Sequence, residues 1–136
     1  MKRLYILAGA NGSGKSTISK VLLPSEGIVY VNPDDIAVAG YETVIAYVFV
    51  DSPEVCIARI AARVKNGGHY VPDEDVRRRY QRSKENFIHL YAPLVDHWML
   101  YYNGGTDGIL VAHGNGEINV VLKERYEAFM EGICRK

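Results

Sequence analysis

The sequence predicts an α/β domain, a parallel sheet flanked by helices, and three observations carry that expectation. Leu4 to Ala8 is a continuous apolar run that ends in glycine, as a strand buried on both faces of a parallel sheet does. Tyr41 to Val50 is dense in β-branched and aromatic residues, the composition of a long strand. Around these runs apolar residues recur at helical spacing, so strands and helices alternate. The 136 residues, 48% hydrophobic, supply one core and no second, so residues 1–136 read as a single domain.

The glycine-rich turn after Ala8 leads into a helix from Ser16 to Leu23, with Ile18, Val21 and Leu22 at helical spacing and Pro24 stopping the run. Ile28 to Val31 reads as a short second strand ending in "NPDD". After the strand from Tyr41 to Val50, Ser52 and Pro53 supply an N-cap and a first-turn proline. The apolar stripe Ile57, Ile60, Ala61 and Val64 then makes a helix that closes at "NGG". Asp73 to about Leu90 forms the next helix, with Val76, Tyr80, Ser83, Phe87 and Leu90 on one face. Trp98 to Tyr102 and Ile109 to Ala112 read as strands separated by the turn "NGGTDG", and Asn115-Gly116 permits another turn. Leu122, Tyr126, Phe129, Met130 and Ile133 mark a terminal amphipathic helix.

Charge and composition narrow the functional classes. Lys+Arg and Asp+Glu both number 16, which gives no global field for nucleic acid or an anionic membrane. A nucleic-acid-directed ATPase is a weak reading, because the only basic run, Arg77 to Arg79, has no aromatic stacking pattern around it. No stretch approaches a membrane span, and the amino-terminal apolar run breaks into glycine too early for a signal peptide. Cys56 and Cys134 match no metal or redox spacing and read as buried thiols in a reducing compartment, so a cytoplasmic protein is expected.

Gly9, Gly14, Lys15 and Ser16 fit G-x-x-x-x-G-K-[ST] in the context that motif requires, between a strand and a helix start. Glycines let the backbone curl so that successive N–H groups meet phosphate oxygens, and the helix start adds its positive dipole end. A nucleoside triphosphate, ATP with Mg²⁺, is therefore expected on Gly9, Asn11, Gly12, Ser13, Gly14, Lys15, Ser16 and Thr17. Lys15 reaches the β and γ phosphates and the Ser16 hydroxyl holds the Mg²⁺. "VNPDD" ends a strand at the crevice side of the sheet, so Asp34 or Asp35 faces the γ-phosphate, or both cap the following helical turn. Asp51, after "YVFV", imitates an acid that holds Mg²⁺ through water and equally serves beside the next N-cap. Arg59 and Arg63 share a helix face, which is either solvated or turned to the nucleotide. His69 binds phosphate or shapes its loop, whereas His89, His97 and His113 have no ligand spacing and read as structural.

Several stretches together resemble the zeta-toxin-like P-loop kinase family: "YILAGANGSGKSTISKVLLP", "VNPDDIA", the run from Gly40 to Phe87, and "DHWMLYYNGG". The most specific is "RVKNGGHYVPDEDVRRRY", which is similar to that family's R-V-x-x-G-G-H-x-V-P-x-x-x-I-x-R-R-Y pattern. The resemblance implies a P-loop NTPase fold of the kinase type and transfer of the ATP γ-phosphoryl group to a hydroxyl of a small molecule, a UDP-linked amino sugar for the characterised toxins. It implies Asp34 as catalytic base, and it aligns Arg78 and Arg79 with the R-R-Y pair. Lys15, Arg63 and Arg79 are then the expected charge-neutralising residues, "NGGHYVP" the mobile loop, and an antitoxin protein a partner.

One departure bears on all of this. Family members carry a few dozen residues between "NPDDIAVA" and "GYETV", where here Ala39 joins Gly40. The absent piece brings the strand that lies between the second strand and the P-loop strand. Its loss implies a sheet short of one central strand, a rearranged or antiparallel sheet, or strand exchange in a homodimer. The rival function is then a nucleotide-binding remnant or regulatory protein that no longer transfers phosphate.

Overall fold

A computed structural model describes residues 3–15, 42–104 and 108–133. Its elements run β1 (Arg3–Ala8), β2 (Glu42–Phe49), α1 (Pro53–Lys65), α2 (Asp73–Asn86), a π-helical turn (Phe87–Tyr91), β3 (His97–Tyr102), β4 (Ile109–Gly114), β5 (Ile118–Val120) and α3 (Lys123–Met130). The helix expected from Ser16 to Leu23, the strand from Ile28 to Val31 and the 39/40 junction all lie outside the described residues.

The strands form one sheet in the order β1-β2-β3-β4-β5. β1 pairs in parallel with β2, Ile6 opposite Ile45, and β2 in parallel with β3, Tyr47 opposite Leu100. β3–β4 and β4–β5 are antiparallel. The expected all-parallel sheet is therefore corrected to a mixed one. Only residues 103–108 join β3 to β4, too few for the crossover that a parallel return needs, so the "NGGTDG" turn makes a hairpin. Among the described residues β1 is hydrogen-bonded to a strand on one side only, that of β2.

β2 and β3 are the buried centre. On one face Ile45, Tyr47, Phe49, Trp98, Leu100 and Tyr102 pack with Phe87 and with Phe129 of α3. Tyr47 stacks on Phe87 at 4.7 Å between ring centroids, and Phe129 lies 4.9 Å from Phe49. Such pairs add about 0.5–1.5 kcal/mol each to simple burial. The Tyr47 hydroxyl donates to Ser83 Oγ at 2.8 Å, which explains the serine among the apolar residues of α2. On the other face Ala46, Val48 and Tyr101 are buried, beside Leu7, Met99 and Leu110. At the strand starts Glu42 joins Arg3 to His97.

Helix α1 begins as its sequence dictates, with Ser52 extended at the N-cap and Pro53 in the first turn, although no side-chain cap bond forms. Cys56 and Ile60 pack with Val76 and Tyr80 of α2, and both helices meet the sheet through Ala10 and Val50. Tyr80 donates its hydroxyl to the Val50 carbonyl at 2.6 Å. The helix expected to reach Leu90 stays α-helical only to Asn86. The Ala92 N–H then donates to the Phe87 carbonyl at 2.8 Å, and this wider turn rotates the side chains from Phe87 to Tyr91 about the helix axis. Phe87 enters the core while Leu90 turns outward to 53% exposure, which corrects its assignment to the buried face.

Candidate functional site

The carboxyl ends of the three mutually parallel strands, β1, β2 and β3, lie side by side and release three segments: Gly9 onward, Val50 onward and Asn103 onward. Ligands of open α/β sheets bind outside such ends. The Asn103 N–H donates to the Phe49 carbonyl at 2.9 Å, extending the row by one residue and fixing the asparagine next to the glycine loop.

The loop from Gly9 to Lys15 is closed on itself. The Lys15 ammonium donates to the Gly9 carbonyl at 2.9 Å, and the Ser13 N–H donates to the Ala10 carbonyl at 3.1 Å. Gly9, Gly12 and Gly14 have φ of 151°, 80° and 91°, a region that costs residues with a side chain. Space forbids a side chain as well. A Cβ at Gly9 would lie 2.6 Å from the Val48 carbonyl oxygen, one at Gly12 would lie 2.8 Å from that of Cys56, and one at Gly14 would run into the Asn103 amide. The motif glycines are therefore required by close approach to β2, α1 and the end of β3. Asn11 is half-buried in the same loop and Ser13 is fully buried.

Two residues from elsewhere in the chain hold this loop. Arg59 of α1 donates to the carbonyl of Asn103 at 2.9 Å and, at longer range, to those of Gly12 and Ser13, both at 3.4 Å. Asn103 donates its side-chain amide to the Ser13 carbonyl at 3.2 Å. Ser13 Oγ and Asn103 Oδ1 are buried without a hydrogen-bond partner among the described residues. The Cys56 main chain lies under Gly12, and burial pushes its thiol above the ordinary range, away from the thiolate a nucleophile needs.

The remaining expected site residues fare unequally. Ser16, Thr17, Asp34 and Asp35 lie outside the described residues. The pair Arg59 and Arg63 is split: Arg59 reaches the loop, whereas Arg63 is exposed. Arg79 is also exposed, Arg78 pairs with Asp75 at 3.1 Å and Arg77 with Glu54 at 3.6 Å. His69 sits in an exposed loop and Tyr70 beside it is 69% exposed. Asp51 does stand at the carboxyl end of β2, but its carboxylate accepts the Tyr102 hydroxyl at 2.5 Å and Arg125 at 3.0 Å. The Arg125 guanidinium in turn lies 4.0 Å from the Tyr102 ring centroid, and the bond to Asp51 raises the Tyr102 hydroxyl above its ordinary range. Among the described residues no three His, Cys, Asp or Glu side chains converge on a possible metal position. No described helix is long and apolar enough to cross a membrane.

The sequence reading passed over Asn103 and preferred Arg63 to Arg59. A signal was present for Asn103, since it directly follows the strand read as Trp98 to Tyr102 and so falls in the same row as Gly9 and Asp51. For Arg59 the signal is weaker: it immediately precedes Ile60, on the flank of the apolar stripe, within reach of a neighbour that a face-on reading ignores. No family model matches the chain, nor does any curated protein or solved structure.

Proposed function

We propose that the chain binds ATP on the loop from Gly9 to Thr17 and transfers the γ-phosphoryl group to a hydroxyl of a small molecule, a UDP-linked amino sugar by the zeta-toxin resemblance. The observation that supports this most is the self-closed loop at the carboxyl ends of parallel strands. Its three glycines are confined by neighbouring backbone and side-chain atoms, and its lysine is folded across it. A triphosphate fits such a cradle because a lysine already held over the loop exchanges a carbonyl for phosphate oxygens at little reorganisation.

In this reading Asp34 takes the proton of the acceptor hydroxyl as its oxygen attacks the γ-phosphorus. The bond from that phosphorus to the β–γ bridging oxygen breaks, and ADP leaves with the electron pair. Lys15 neutralises the β and γ oxygens, and Arg63 and Arg79 meet the transferring group when the loop "NGGHYVP" closes. Ser16 would hold Mg²⁺, which would supply further charge neutralisation. A cytoplasmic setting and a neutralising antitoxin partner belong to the same reading.

The second reading, nucleotide binding without transfer, is favoured by one observation. Arg59, the arginine at the loop, is committed to main-chain carbonyls, while Arg63 and Arg79 are exposed. Mixing the protein with Mg·ATP and a panel of nucleotide sugars, then analysing the products by mass spectrometry, separates the two. A phosphorylated sugar that disappears in Asp34→Asn supports the kinase, and ATP bound with no such product supports the rival.

A further inference from the structure

Among the described residues the sheet ends in β5, three residues long, and no strand pairs with its outer edge. The hydrogen bonds of the β4–β5 ladder establish which groups face outward. Asn115 donates to Glu117, and Val121 donates to Val111, so the pairs 115/117, 113/119 and 111/121 carry the ladder bonds. The main-chain N–H and C=O of Ile118 and Val120 therefore point away from β4. Their side chains share one face and are 61% and 42% exposed. An edge that offers unpaired backbone groups under an exposed apolar row is a template for another strand.

We infer that β5 pairs antiparallel with β5 of a second copy of this chain, about a two-fold axis at Asn119. Ile118 of each copy then stands opposite Val120 of the other. This register uses every outward group: each Ile118 N–H and C=O meets the Val120 C=O and N–H across the seam, closing the ladder with no orphan. The exposed apolar side chains form a continuous row on one face, and the two Asn119 amides meet on the other and can bond one another. Charge fits a second copy in this sense of pairing. Glu117 precedes the strand and Lys123 opens α3 just after it, so the antiparallel arrangement brings the acidic end of each copy's strand to the basic end of the other. A parallel pairing would set like charges together. After Val120 the chain turns off, with Val121 and Leu122 both donating to the Val111 carbonyl, which limits the seam to these few residues. The interface is accordingly small and the association weak.

Sedimentation equilibrium of the full chain from about 5 µM to about 1 mM tests the inference. The expected mass rises with concentration from 15.2 kDa toward twice that value. Val120→Pro removes the outward N–H but none that bonds β4, and is expected to leave the chain monomeric throughout. Should that variant prove unfolded by circular dichroism, charge reversal decides. Glu117→Lys and Lys123→Glu are each expected to weaken dimerisation about fivefold, and the double reversal to restore it within about twofold. A monomer at the highest concentration overturns the inference, as does a dimer indifferent to the charge reversals or one that survives long dilution as strand-exchanged chains do.

Discussion

Replacing Arg59 with alanine separates an arginine that holds the loop from Arg63, to which the proposal gives a role in turnover. The guanidinium makes one short bond, 2.9 Å to the carbonyl of buried Asn103, and two at 3.4 Å that lie at the limit of useful geometry. A charge-assisted bond of the first kind contributes about 1.5–3 kcal/mol, and leaving a buried carbonyl without its partner costs about 1–3 kcal/mol, two descriptions of the same loss. Arg59→Ala is therefore expected to destabilise the fold by about 2 kcal/mol, a fall in melting temperature of roughly 6–10 °C. If that energy is what keeps the loop in shape, ATP affinity falls by up to about thirtyfold. Arg59→Lys recovers only part of both, because a single ammonium cannot serve three carbonyls with the same fork. Arg63→Ala, at an exposed position, should melt within about 0.5 kcal/mol of the parent while lowering turnover. Differential scanning calorimetry and ATP titration of the three variants make the comparison. An Arg59→Ala protein that melts within about 2 °C of the parent and binds ATP equally well would refute the clamp.

Three further outcomes rest on the same geometry. Gly14→Ala places a methyl group against the Asn103 amide at a φ of 91°, and is expected to abolish ATP binding in titration while circular dichroism stays near that of the parent; undiminished affinity would contradict the assigned packing. Tyr80, buried and bonded to Val50, has its hydroxyl pushed up to about 12, and burial raises that of Tyr47 as well. Above pH 10 the unfolded chain releases these protons and the folded one holds them, so stability should fall between pH 10 and 12, by about 2 kcal/mol for Tyr80 alone; urea unfolding shows the slope, which Tyr80→Phe should reduce. Lys84 is buried with its ammonium 5.1 Å from the Phe129 ring centroid and 5.5 Å from that of Tyr80, and desolvation holds it below its ordinary range. The unfolded chain then binds the extra proton as pH drops below 10.5, so Lys84→Met should be at least as stable as the parent at pH 7, with any advantage shrinking as pH rises toward 10.5 in the same urea assay.

Much of the architecture was legible because its signals are local. β2 lies within one residue of the run expected from Tyr41 to Val50, and α1 starts where Ser52 and Pro53 place it. Legibility failed where tertiary geometry decides. β5 was missed because three exposed residues have no periodicity to read, and the length of the β3–β4 connection outweighed the resemblance to a parallel fold. At Phe87 the extra residue of the π turn shifts the phase of an apolar face that continues smoothly in sequence. In the site, the glycines and Lys15 were readable from spacing, since the loop is built from consecutive residues. Arg59 and Asn103 reach it from two other elements, and no spacing rule joins positions 44 residues apart.

The most direct measurement is calorimetric titration of the protein with Mg·ATP, alongside Lys15→Met and Asp34→Asn. The parent should bind one equivalent, Lys15→Met should give no heat, and Asp34→Asn should bind as the parent does. Absence of heat from the parent, or an unchanged affinity in Lys15→Met, would show that the loop closed by Lys15 and Gly9 is not a triphosphate cradle.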